Sequence, residues 1–177
     1  MRCLLCSGWS LDAICKECLQ TELQPQPSTR TLEEGFNVYS FFTYDTLAPL
    51  LHVKHQLYGS RLYHQLGALF FSPFIQTIDF TTPIIAVPVD DHVRSGYSHT
   101  AILAKALTSL HVKPRYNVLR AQSLISYSGK SLKERQANPR DFTCKLSGSC
   151  DVILVDDLVT TGLTLLEAKK TLEKAGH

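Results

Sequence analysis

Apolar positions along the chain switch repeatedly between short runs and helical spacing. "FNVYSFFTY" (36–44) is a β-rich run. After it, Leu47, Leu50, Leu51, Leu57, Tyr58, Leu62, Leu66 and Leu69 keep helical spacing, with Gly59 as a break. "PIIAVPV" (83–89) predicts a short buried strand and "HTAILAKALTSL" (99–110) a helix after it. "YNVLR" (116–120) predicts another short strand, and "DVILV" (151–155) the strongest strand in the chain. "LTLLEAKKTLEKAG" (163–176) predicts a helix closing on Gly176. Strands alternating with helices predict an α/β domain with a parallel sheet flanked by helices. Residues 1–24 stand apart as a cysteine-rich module. Residues 25–34, polar and carrying Pro25 and Pro27, read as a linker to a main domain over 35–177.

Composition adds little until it is resolved along the chain. A hydrophobic content of 44% and a charged content of 19% over 177 residues describe a globular protein with a real core. The formal charge of +2 names no partner. Between Lys113 and Lys145, however, eight basic residues face only Glu134 and Asp141, a local balance of +6. The start of the chain carries no apolar signal region, and the longest uncharged stretch, 62–78, is too polar for a membrane span. A cytoplasmic location is expected, where paired cysteines are more often metal ligands than disulfides.

"CLLCSGWSLDAICKEC" places Cys3, Cys6, Cys15 and Cys18 as two Cys-x2-Cys knuckles. Two such knuckles bring four thiolates around one tetrahedral Zn²⁺, and four protein ligands make that ion structural. Cys144 and Cys150 have no partner at ligand spacing and read as ordinary thiols.

"VILVDDLVTTGLTLLEA" (152–168) puts Asp156 and Asp157 directly after the strongest strand, then runs through Thr160, Thr161, Gly162, Leu163 and Thr164 into a helix. Ligands of parallel sheets bind beyond the carboxyl ends of the strands. The first N–H groups of a helix, with adjacent threonine hydroxyls, suit a phosphate. Carboxylates beside such a site fit sugar hydroxyls, with or without Mg²⁺. A Walker A loop is missing.

This stretch resembles the phosphoribosyl-pyrophosphate (PRPP) loop of type I phosphoribosyltransferases. Taken with the cysteine knuckles, "HVKHQLYG" (52–59) and "PVDDHVRSGYSHTAILAKAL" (88–107), the chain resembles the ComF (ComFC/GntX-like) family of competence proteins over nearly its full length. The resemblance implies a type I phosphoribosyltransferase-like fold, with PRPP and Mg²⁺ held by Asp156, Asp157 and 160–164. It implies a pyrophosphate contact at Arg94 and Ser95, in a segment that departs from the family's usual pattern. It also implies a further strand beyond His177, single-stranded DNA as a partner in DNA uptake, and other competence proteins at the inner membrane.

The basic stretch leaves three readings open. It closes over pyrophosphate as a lid, it contacts single-stranded nucleic acid, or it is a solvated loop. Lys130, Lys133, Arg135 and Tyr127 are its candidate nucleic-acid contacts, with Lys54 and His55 as a second patch that otherwise reads as an exposed helix face. No segment reads as a hood for an acceptor base. A binding protein that handles single-stranded DNA is therefore favoured over the alternative, an active transferase moving phosphoribose onto a nitrogen acceptor.

Overall fold

A computed structural model describes residues 1–56, 58–89, 93, 96–123 and 137–177; the side chain of His55 lies outside that description. The first long-range structure is the cysteine module. Its loop packs ahead of a short helix α1, Lys16–Thr21. Strands β1, Ser28–Glu33, and β2, Phe36–Ser40, then form an antiparallel hairpin turning through Gly35 at φ 72°. Ser28–Glu33 falls inside the segment that the sequence suggests is a linker. Its alternation is carried by Thr, Arg and Leu rather than by an apolar set, so polarity concealed a strand.

Helix α2, Tyr44–Leu51, starts where Thr43 accepts a hydrogen bond from the backbone N–H of Thr46. It passes through a 3-10 turn, His52–His55, into α3, Gly59–Leu66. Gly59 opens α3 instead of breaking a helix. A Cβ there would lie 2.3 Å from the Val53 carbonyl oxygen. A π turn, Gly67–Phe71, carries the same axis on into α4, Ser72–Ile75. Gly67 lets this axis approach the next helix, since a Cβ there would sit 2.9 Å from Ala106 Cβ.

The central layer is a three-stranded parallel sheet in the order β4-β3-β7. β3, Ile84–Pro88, lies in the middle, between β4, Val112–Pro114, and β7, Asp151–Val155. Ala86 and Val87 of β3 are fully buried, as expected of a strand covered on both faces. Helix α5, His99–Ala106, capped by Ser98 Oγ on the Ala101 N–H, makes the crossover from β3 to β4. β5, Leu119–Ala121, pairs antiparallel with β6, Phe142–Cys144, outside that sheet. Helix α6, Leu163–Lys174, follows β7 and ends before Gly176 at φ 92°. The fold is thus a mixed α/β arrangement with a parallel sheet flanked by helices, as expected. Among the described residues, no helix is long and apolar enough to cross a membrane.

The cysteine module shares a core with the helices. Cys3, Ala13, Ile14, Cys18 and Leu23 form one buried cluster with Leu50, Leu62 and Leu66. Gln65 of α3 clamps the module through both its amide atoms: its Oε1 accepts from the Ile14 N–H at 2.8 Å, and its Nε2 donates to the Ile14 carbonyl at 2.8 Å. Replacing Gln65 by Met keeps the bulk and leaves both Ile14 groups without those partners. Each unmet buried group costs about 1–3 kcal/mol, so Gln65→Met should lower the unfolding free energy by about 2 kcal/mol in urea titrations. An unchanged midpoint and slope would mean that the module is not fixed to α3 by this clamp.

Candidate functional site

The turn after β7 puts the two carboxylates at the carboxyl end of the parallel sheet, where they make different contacts. Asp157 turns inward, with its side chain only 7% exposed. Its Oδ2 accepts from Lys54 Nζ at 3.2 Å and from Tyr63 Oη at 3.1 Å, and lies 3.4 Å from His99 Nε2. Three elements therefore converge on one oxygen: the 3-10 turn, α3 and the first residue of α5. The Tyr63 and His99 rings lie 5.2 Å apart, which fixes both donors. Burial alone would raise the Asp157 carboxyl; the hydrogen bond and charge of His99, then the charge of Lys54, outweigh it and hold the group well below the ordinary carboxylate range. Burial and the same carboxylate push the Tyr97 hydroxyl upward, while that hydroxyl donates to the Lys54 carbonyl and so steadies the turn.

Asp156 is half-buried, and its Oδ1 accepts the Asp157 N–H at 2.8 Å. Thr160 and Thr161 are exposed, whereas Gly162, at φ 83°, is buried. The β1–β2 hairpin explains that burial. A Cβ on Gly162 would lie 2.7 Å from the Leu32 methyl groups, so both the backbone angle and the contact require glycine. Arg30 Nη1 donates to the Thr160 carbonyl at 2.9 Å, and Lys169 Nζ of α6 bridges Glu33 at 3.2 Å and Glu173 at 2.6 Å. The hairpin thus covers the loop, although the sequence offered no recognisable hood.

Next to this loop lies a cavity of about 230 Å³ between the end of β2, α2, α3, the π turn and residues 156–160. Its walls are aromatic and aliphatic together, with Phe41 against Phe71 at 4.9 Å and Phe42 edge-on to Phe70 at 4.7 Å.

In the cysteine module, the four sulfurs all lie within 4.8 Å of one another, and Cys6 and Cys15 are 3.8 Å apart. Zn–S bonds of about 2.3 Å set tetrahedral S···S edges of about 3.8 Å, so the set fits a structural zinc ion. Backbone N–H groups already point at the sulfurs: Gly8 to Cys6, Cys15 to Cys3 and Cys18 to Cys15. Burial raises the Cys3 thiol, but N–H groups of Cys15, Cys6 and Leu5 outweigh it and hold the thiol down to about 6. Cys18 is pushed the other way, by burial and then by the neighbouring thiols. Without a cation, the cluster cannot carry four thiolates together.

Of the other sequence candidates, Arg94, Ser95, Tyr127, Lys130, Lys133, Arg135 and the side chain of His55 lie outside the described residues. Lys54 is described, and it faces Asp157 rather than an open helix face. The sequence reading did not single out Tyr63 or His99. Tyr63 keeps the spacing of core positions and His99 merely opens a helix, so neither carried a local signal.

No family model matches the chain. Among curated proteins it is similar to the competence protein ComFC of Streptococcus pneumoniae (strain ATCC BAA-255 / R6), with 25% identity over 169 residues covering 92% of this chain and 75% of that protein. That similarity supports the ComF family resemblance.

Asp157 has a measurable signature. Its folded value lies below the unfolded value of about 4, so its stabilisation is fully present above that pH and is lost as the pH falls through it toward the folded value. Removing one partner of a buried ion pair costs about 3–5 kcal/mol. Asp157→Asn should therefore lower stability by about 3 kcal/mol at neutral pH, and the gap to wild type should narrow as the pH falls below about 4. Equal stability of the two proteins at neutral pH in urea unfolding would contradict the assignment.

Proposed function

We propose that this chain is a competence-type protein of the ComF kind, whose loop at 156–164 holds a phosphorylated ribose such as PRPP and which handles single-stranded DNA. The observation that carries the ligand reading is the placement of half-buried Asp156 and exposed Thr160 and Thr161 in the turn where β7 enters α6. Sugar hydroxyls have a carboxylate acceptor there, beside a helix mouth suited to phosphate. Asp157 serves this site by fixing the turn. Mg²⁺ would arrive with the pyrophosphate of PRPP. The similarity to a competence protein, together with the +6 balance between Lys113 and Lys145, supports the DNA reading.

A transferase reading gains support from the hairpin. Leu32 packs over Gly162, and a separate cavity lies beside Asp156, next to the proposed ribose site. Closing hoods of this kind position reactants and exclude water.

Two measurements test these assignments. PRPP with Mg²⁺ should stabilise the wild type by about 2.7 kcal/mol at one hundred times its dissociation constant, and Asp156→Ala should abolish that effect. Equal stabilisation of the variant would remove the ribose site from this loop. In the same preparations, single-stranded DNA affinity should fall with salt at a log–log slope of about −0.7 per phosphate contacted; a flat response would end the DNA reading.

For the cysteines, we propose a bound structural Zn²⁺. Elemental analysis should find one zinc per chain, and strong chelation should unfold the first core along with the module, because small metal modules fold with their ion. Metal-free protein with an unchanged thermal transition would contradict this.

A further inference from the structure

We infer that the cavity beside Asp156 is a binding site for a flat, carbon-rich ring system of one or two fused rings bearing a single hydrogen-bond donor. The inference stands on the cavity and not on the ribose-phosphate reading.

Size sets the first limit. A dry apolar cavity of ~150 Å³ accommodates benzene, so a space of about 230 Å³ has room for a bicycle. The walls set the second. Phe41, Phe42, Phe70, Phe71, Leu62 and Leu103 surround it. Phe70 and Phe71 are presented by the π turn Gly67–Phe71, an irregularity that recurs at functional sites because it re-aims side chains. Aromatic faces and edges favour a planar guest through offset and edge-on contacts. Tyr39 and Tyr44, 55% and 57% exposed, stand at the entrance as a partly wet aromatic mouth.

Polarity sets the third limit, and it separates this ligand from a nucleobase. Apolar surface predominates on the lining, and its polar side chains are the carboxylates of Asp156 and Asp157 and the hydroxyls of Thr160, Tyr63, Ser40, Thr43, Tyr39 and Tyr44. Tyr63 and Asp157 already hold each other at 3.1 Å. A single N–H or O–H on the guest can address the carboxylate and threonine end. A purine or pyrimidine brings donors and acceptors around its whole edge, and those pressed against phenylalanine and leucine would lose water without replacement. Each such group costs about 1–3 kcal/mol, which is about tenfold or more in affinity.

Indole serves as the probe, with adenine and uracil as comparison compounds, in calorimetric titration and saturation-transfer NMR of the full chain. Indole should bind saturably, and adenine and uracil about tenfold or more weakly. Methyl-labelled leucine spectra should show indole shifts at Leu47, Leu51, Leu62 and Leu103. Leu47→Trp, which places a ring in the cavity, should weaken indole about tenfold or more. The methyl map of the wild type decides the matter if that variant folds poorly. Adenine or uracil binding as tightly as indole would overturn the inference, as would no saturable binding, or shifts confined to Leu11, Leu19 and Leu69 in the open groove beside the cysteine module. Ribose 5-phosphate stabilisation is measured in parallel. Its absence with indole binding intact would count against the loop assignment alone.

Discussion

One buried negative charge organises the functional end of this protein. A carboxylate taken out of water costs several kcal/mol unless its partners are close and well aimed. Asp157 meets that requirement through Lys54, Tyr63 and His99, which come from elements far apart in the chain. Each of the three must be placed within hydrogen-bond or ion-pair reach of the same oxygen, so the turn after β7, the 3-10 turn, the middle of α3 and the start of α5 are fixed relative to one another. The geometry of the loop at 158–162 inherits that rigidity.

Helix α3 carries this order to the rest of the molecule. Tyr63 faces the carboxylate, Gln65 holds the Ile14 backbone, and Leu62 and Leu66 belong at once to the first core and to the cavity lining. A disturbance in the cysteine module thus has only one helix to cross before it reaches the loop. The hairpin closes the arrangement from the opposite side, with Leu32 on Gly162 and Glu33 on Lys169.

What the sequence made legible was local. Asp151–Val155 and Ile84–Pro88 are continuous apolar runs, and no tertiary context was needed to recognise them as buried strands. Two matched knuckles announced the sulfur cluster in the same way. β4 and β6 are three residues each and gain their identity from their neighbours' hydrogen bonds, so no period could reveal them. β1 was hidden by polar residues on an exposed face. The partners of Asp157 were illegible for a different reason. A lysine, a tyrosine and a histidine become an ion-pair cluster only when helices that carry no common motif meet. The adjacent acids looked equivalent in the sequence, and their partners divide them: Asp157 anchors Lys54, Tyr63 and His99, while Asp156 accepts the next backbone N–H.

The parallel sheet also dictates an order of assembly. The core around Ile14, Leu50 and Leu62 draws on the first third of the chain, and the β1–β2 hairpin is local to it. By contrast, β3 must wait for β7, because Ile84 pairs with Asp151 across a long stretch of intervening chain. Closing so long a loop is an entropic cost met before any contact rewards it, and non-local strand pairing is accordingly slow. On a growing chain, Lys54, Tyr63 and His99 emerge well before the carboxylate that neutralises them. Docking of β7 is then the step that ends folding, and it delivers the anchor and the loop together. A half-folded chain would already contain a complete amino-terminal core while β3 still presented an unpaired parallel edge, the state in which such a protein is most exposed to aggregation.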